Sequence, residues 1–364
     1  MSSAPVLVVE AHSGLGGPPT TLLEIVSELS RRRRVVVAIP PGPIERALRE
    51  RAPDATVVPL PSWTKHRRWL VRLRSLPALR RALTHAGSSA IVHANGKSAL
   101  NLVGPLLVGQ RRRAVFVHFH DSELTSRTAS QLRAWRRLGI QARYSAVSCM
   151  SSDVLRDAGL GSSLLPELPN PVRPLPSPSR SERNAGSPFR VVWGGSRRHR
   201  KGLDLALEVV AAMGQHDVEL DIFGVVGDSP FLADCRSLVA RHGLEKRVRW
   251  LGRQPDFATR LAEYDAALVT SRQESFCRVA VEAMAAGVPV AAGRIEGLEE
   301  AVGEGNCRLF DLGDASAGAE AVRALRSPET WLALHRRGLK RAAEFTPARV
   351  CDLLEERYAA LDRR

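Results

Sequence analysis

The chain has 364 residues, 44% of them hydrophobic and 25% charged, which suggests two globular domains. No apolar run approaches the roughly 20 residues that cross a bilayer. The start, Met1-Ser-Ser-Ala-Pro, lacks a basic signal-peptide region, so the expected location is cytoplasmic. Five scattered cysteines, odd in number and without C-x-x-C spacing, argue against a disulfide framework and a zinc site. The net charge of +15 sits wholly in the first half: residues 1–185 carry 27 Lys and Arg against 12 Asp and Glu, and residues 186–364 carry 26 of each. A basic first half points to an anionic partner, whether a membrane surface, a lipid phosphate or nucleic acid.

In chain order, short apolar strands alternate with helical patterns, as a parallel α/β domain requires. Strands are expected at 6–9, 35–39, 56–59, 90–93, 114–118 and 146–149. The turn Gly14-Leu15-Gly16-Gly17 follows the first strand and leads into a helical pattern near Thr20. It lacks G-x-G-x-x-G spacing, and no acidic residue closes the second strand, which argues against a dinucleotide site. Residues 63–86 set Trp69, Leu70, Leu73, Leu76, Leu79 and Leu83 at helical spacing among arginines. Such a helix can lie in a membrane interface, pack its leucines on the sheet, or do both, with Arg68, Arg72, Arg80 and Arg81 facing lipid while the leucines pack inward. Pro77 should bend it. The run AVFVHFHDSEL, 114–124, brings His118, His120 and Asp121 to a strand end. His118 reads as an ordinary buried histidine, and His120 as the functional one.

A Pro- and Ser-rich stretch at 173–188 reads as a linker between a first domain, 1–172, and a second, 189–345. Strands are expected beyond it at 189–193, 218–223, 248–251, 266–269 and 288–292, and a helical stretch covers 331–361, interrupted near Thr346-Pro347. Two Rossmann-like halves place a ligand at strand C-terminal ends. Trp193-Gly-Gly-Ser196-Arg197-Arg198-His199-Arg200-Lys201-Gly202 sets cations on such a loop, where they can neutralise a diphosphate.

The run 270–293, TSRQESFCRVAVEAMAAGVPVAAG, is the most informative. Glu274 and Glu282 flank a helix start, whose N–H groups and positive dipole end suit a phosphate. A carboxylate on each side can accept hydrogen bonds from hydroxyls but should not bind the phosphate itself. The ligand those demands describe carries sugar hydroxyls at both ends and phosphate between: a nucleotide sugar.

These segments resemble the family 4 retaining glycosyltransferases of the GT-B fold (glycosyl transferases group 1). Glu274 to Glu282 matches the E-x7-E motif, and Lys201-Gly202 the end of G-R-L-x-x-x-K-G. Gly16-Gly17 matches the glycine loop, and His120-Asp121 the strand-end His-Asp. The likeness is specific over about 190–305 and diffuse over 1–170. It implies an α/β fold of two Rossmann-like domains facing each other across a cleft, with a C-terminal helix, 346–364, crossing back to the first. It also implies that Glu274 holds the donor sugar, Glu282 the ribose and Lys201 the diphosphate, with His120 near the reacting centre. The catalytic set is then Glu274, His120 and Lys201. The donor-binding set is Gly16, Gly17, Arg197, Lys201, Glu274, Phe276, Cys277, Arg278 and Glu282. The chain departs from the pattern in four places. Ser196 or Gly195 stands where the arginine belongs, so that Arg197 or Arg198 must substitute. Cys277 replaces a glycine beside the diphosphate, Pro18-Pro19 follow the glycine loop, and Pro171 replaces a glycine after Asn170.

The resemblance implies a retaining transfer from a nucleotide-diphosphate sugar to an acceptor hydroxyl, with no cofactor and no catalytic metal. The basic first half favours a lipid-linked or anionic glycan acceptor in cell-envelope polysaccharide synthesis, with peripheral contact at the inner face of the plasma membrane. A soluble natural-product acceptor is the alternative. A GT-B-fold epimerase or hydrolase, or a non-catalytic polyanion-binding protein, also stays open. No aromatic-rich strand motif or helix-turn-helix signature indicates a nucleic-acid partner.

Overall fold

The computed structural model describes residues 4–14, 16–62, 68–177, 188–214 and 218–361. Most of the expected linker, at 178–187, and the start of the basic segment, at 63–67, lie outside the described residues, as do the side chains of Arg68, Trp69 and Leu70. The chain divides into two compact units, Met1–Pro171 with Pro347–Arg364, and Val172–Thr346.

The first unit alternates β1 (Val6–Val9), α1 (Gly17–Leu29), β2 (Val35–Ile39), α2 (Pro43–Arg51), β3 (Thr56–Pro59) and α3 (Arg68–Ala86). It continues with β4 (Ile91–Asn95), α4 (Lys97–Leu107), β5 (Val115–Phe119), α5 (Ser126–Arg137), β6 (Ala142–Ala146) and α6 (Cys149–Asp157). All six strands are parallel, in the order β3-β2-β1-β4-β5-β6. The valine-rich strands β1 and β2 are buried along their whole length, as a sheet covered on both faces demands. The chain winds outward from β1 in one direction and then from β4 in the other, so the switch point lies between β1 and β4.

The second unit alternates β7 (Phe189–Gly194), α7 (Leu203–Ala212), β8 (Val218–Phe223), α8 (Pro230–Arg241), β9 (Val248–Gly252), a short α9 (Phe257–Arg260) and β10 (Ala266–Val269). Then come α10 (Arg278–Ala285), β11 (Val290–Gly293), α11 (Glu296–Val302), β12 (Arg308–Phe310), α12 (Ala315–Ala324) and α13 (Pro328–Ala342). Its parallel order, β12-β11-β10-β7-β8-β9, puts the switch point between β7 and β10. The last helix, α14 (Pro347–Ala359), belongs to the first unit: Val350, Cys351, Leu354 and Tyr358 are buried in one apolar cluster with β1, β2 and α1.

One expectation changes. The sixth strand lies at Ala142–Ala146 rather than 146–149, because the Ser148 hydroxyl accepts from the Ser151 N–H and caps α6 there. Pro18 and Pro19 occupy the first turn of α1, where a missing N–H costs nothing. Pro77 sits inside α3 without ending it. That helix buries Val71, Ser75, Leu79, Ala82 and Ala86 on the sheet, with Leu83 half-buried, whereas Arg74, Arg80, Arg81 and Leu73 are exposed. Of the leucine stripe, Leu79 is buried on the sheet, Leu76 and Leu83 are half-buried and Leu73 is exposed.

Candidate functional site

In the second unit, two loops leave the strands that flank the switch point and are bonded to each other. The Thr270 hydroxyl, which accepts from the Trp193 indole at 3.2 Å, donates to the Gly202 carbonyl at 2.7 Å. The Arg272 N–H donates to the Arg200 carbonyl at 2.7 Å, and the Arg272 guanidinium grips Asp204 through two bonds of 2.8 and 2.7 Å. Gly202 makes this contact possible. Its φ is +67°, and a Cβ there would lie 1.8 Å from the Thr270 carbonyl oxygen.

The consequence is local and chemical. Lys201 Nζ donates to Glu274 Oε1, which also accepts from the Ser271 hydroxyl at 2.8 Å. Arg200 reaches 3.8 Å from the other carboxylate oxygen and donates to the Gln273 carbonyl at 3.1 Å. Glu274 is buried at 8% exposure, a position a carboxylate holds only when paired. Eight residues on, Glu282 accepts from Arg278 Nε at 3.2 Å and Nη2 at 2.9 Å along the first turns of α10. Cys277 begins that helix with φ +53°, a left-handed conformation that explains why a glycine suits the position. Burial pushes its thiol up to about 12, which leaves it a neutral small side chain. Gly297 lets α11 approach closely: a Cβ there would lie 2.2 Å from the Glu274 carbonyl oxygen.

Not every candidate joins this cluster. Arg197 turns to the β8–α8 loop, donating to the Val226 carbonyl at 3.2 Å and the Asp228 carbonyl at 3.5 Å. Phe276 is buried against Phe345, with ring centroids 5.3 Å apart. The cations brought to the two glutamates are Lys201, Arg200 and Arg278, and the role of Arg200 was not read from the sequence. Among the described residues, no group of three His, Cys, Asp or Glu side chains is placed to hold a metal ion.

The first unit has its own polar set at its switch point. His120 follows β5, and its Nε2 lies 2.8 Å from the Asn95 amide oxygen at the end of β4. The Asn95 amide nitrogen donates to the Glu10 carboxyl at 2.5 Å and to the Pro18 carbonyl at 3.0 Å. Glu10, directly after β1, also accepts from the His12 N–H at 2.9 Å. Burial drives its carboxyl up to about 7, against the lowering pull of these hydrogen bonds. His118 is fully buried, bonds the Leu168 carbonyl through Nε2 at 2.8 Å and is pushed down to about 4 by burial. Asp121 pairs with Lys97 at 2.9 Å. Gly16 is extended, and a Cβ on it would meet no atom of the described residues within 4 Å. Gly17 is the first residue of α1. Glu10 and Asn95 were missed in the sequence. The one available signal was a polar residue immediately ending an apolar strand, the same signal that marks His120.

Two family models match the chain: a glycosyl transferase 4-like domain over residues 16–163, and glycosyl transferases group 1 over residues 179–343. A curated relative, the N-acetyl-alpha-D-glucosaminyl L-malate synthase of Bacillus anthracis, is 36% identical over 140 residues, 38% of this chain and 36% of its own. The D-inositol 3-phosphate glycosyltransferase of Corynebacterium glutamicum is 32% identical over 192 residues, 49% of this chain and 46% of its own. The chain thus spans less than half the length of these curated relatives. The crystal structure of Anabaena HepE with UDP-glucose superposes with a TM-score of 0.80 over 98% of this chain and 99% of that one, at 22% identity.

Proposed function

We propose, for a chain that belongs to the GT-B-fold glycosyltransferases related to family 4, that it moves a sugar from a nucleotide-diphosphate donor to an acceptor hydroxyl with retention of configuration. The observation that carries the reading is the second unit's switch point, where Lys201 and Arg200 meet Glu274 while α10 starts between Glu274 and Glu282. A donor diphosphate at the start of α10 takes the N–H groups and dipole of the helix, together with Lys201 and Arg200. These cations stabilise the charge that grows on the diphosphate as the glycosidic bond breaks. Glu274 is then left to accept from sugar hydroxyls and Glu282 from the ribose. Cys277 keeps a small neutral side chain beside the phosphates. The first unit takes the acceptor, with His120 orienting the attacking hydroxyl.

For the acceptor, the soluble alternative has better support than a lipid-linked glycan. The relatives' names carry L-malate and inositol 3-phosphate, both small, hydroxylated and anionic. An anionic small molecule also suits the basic first half. Among the described side chains of α3, Arg74, Arg80 and Arg81 are exposed, a basic surface that suits an anionic acceptor. Among the described residues no helix is long and apolar enough to cross a membrane. The test is the stereochemistry of transfer to L-malate, inositol phosphates and other small hydroxylated anions, followed by proton NMR. The expected product keeps the donor's anomeric configuration. A product of inverted configuration would overturn the mechanism, and transfer confined to lipid-linked acceptors would overturn the acceptor assignment.

A further inference from the structure

The ribose role proposed for Glu282 requires a carboxylate oxygen that can meet a ligand, and the start of α10 leaves one. Arg278 is the first residue of that helix, and Glu282 follows at the i, i+4 spacing where two side chains meet. Two guanidinium donors converge on a single oxygen: Nε and Nη2 both reach Oε1, at 3.2 and 2.9 Å. Arginine and a carboxylate frequently form a fork instead, with one N–H on each oxygen. In this chain Arg272 with Asp204, Arg249 with Asp221 and Arg51 with Glu24 do so, and both oxygens are then taken. Glu28 also receives two donors of Arg32 on Oε1, but its Oε2 takes Arg31 at 3.3 Å. Glu282 differs. Among the described residues nothing donates to its Oε2, and that oxygen is not buried. We propose that Arg278 is a positioning residue that clamps Glu282 through Oε1 and so presents Oε2 to the ribose hydroxyls of the donor. This rests on the ribose role of Glu282 and deepens it: Arg278 serves recognition of the ribose and not only the charge of the diphosphate.

Two further observations point the same way. The side chains of Arg278 and Glu282 are only 12% and 13% exposed, so the clamp is largely shielded from competing water. A glutamate free to rotate loses that freedom when it meets a ligand, whereas one already held does not. Glu274 is arranged in the same manner. Its Oε1 takes Lys201 and the Ser271 hydroxyl, while among the described residues its Oε2 has Arg200 alone, at 3.8 Å and beyond hydrogen-bond reach. Each glutamate of the pair is thus held by one oxygen, and the other is left for a hydroxyl.

The test is calorimetric titration of the protein with the tightest-binding of UDP, GDP, CDP and ADP, and with the 2′,3′-dideoxy counterpart of that nucleotide. Loss of a cation near the diphosphate weakens both ligands alike, so the ratio of their affinities isolates the sugar hydroxyls. Wild type should prefer the ribonucleotide by roughly tenfold or more, as a hydrogen bond to a charged group provides. Glu282→Ala should abolish that preference. Arg278→Met keeps an apolar stem and helical propensity but no donor, and should reduce the preference to about threefold or less. Arg278→Leu should do the same, so that either variant, shown to be folded by circular dichroism, decides the matter. A preference as large as the wild type's in a folded Arg278 variant would overturn the clamp. A preference absent from wild type, or one that survives Glu282→Ala, would instead remove the ribose role on which the clamp rests. Wild-type protein that binds none of the four nucleotides would overturn the proposed function and the clamp with it.

Discussion

At the scale of single residues, the second unit depends on backbone approaches that only glycine allows. Gly202 sits against the Thr270 carbonyl, and this contact places Lys201 beside Glu274. Gly202→Ala should therefore act on stability and donor binding together. We expect a loss of about 2–3 kcal/mol from the steric clash and the left-handed backbone, and a weakening of donor affinity of roughly tenfold or more. Chemical denaturation and calorimetry read the two effects, and a variant with wild-type values in both would show that the loop does not set the site. Much of this was legible in advance. Lys201, Glu274 and Glu282 announce themselves by spacing, because a helix start and its flanking charges are local in sequence. Arg200 does not, since its meeting with Glu274 depends on the pairing of two loops about 70 residues apart, which no local pattern encodes. The left-handed Cys277 shows a further limit. The sequence reveals a substituted glycine, and the structure adds the positive φ that makes glycine suitable there.

At the scale of elements, the C-terminal ends of β1, β4 and β5 carry two buried titratable groups with opposite effects on stability. His118 has a folded pKa of about 4, below its unfolded value of 6.5. Its contribution is present above pH 6.5 and is lost as pH falls through about 4. Glu10 has a folded pKa of about 7, above its unfolded value of 4.5. Its contribution is full below pH 4.5 and is lost as pH rises through about 7. Each is worth on the order of 3 kcal/mol across its window. Unfolding measured from pH 4 to 8 should show an acid limb that flattens in His118→Gln and a neutral limb that flattens in Glu10→Gln. Parallel curves for wild type and both variants would contradict this. These elements were only partly legible. The valine-rich β1 and β2 stand out, whereas β6, with Arg143 and Ser145 among its five residues, does not look like a strand and is recognised only by its pairing with β5. The apolar face of α3 could be read from spacing, but its contact with the sheet could not, since a sheet and a lipid surface accept the same leucines.

At the scale of the whole molecule, the two units share one plan: six parallel strands with a switch point, and a polar cluster at the strand ends beside it. Their chemistry differs. The second unit gathers cations around paired glutamates at a helix start, and the first gathers a histidine, an amide and a buried carboxyl under a glycine turn. The charge asymmetry of the sequence follows this division, because the basic excess belongs to the half assigned to the acceptor. The central claim is that the second unit binds a nucleotide-diphosphate sugar through Lys201 and Glu282. The most direct measurement is calorimetric titration of the folded protein with a panel of nucleotide sugars, repeated with Glu282→Ala and Lys201→Ala. The account predicts that at least one diphosphate sugar binds one-to-one and that either substitution weakens it by roughly tenfold or more. Folded wild-type protein that binds no member of the panel, or variants that bind as tightly as wild type, would contradict it.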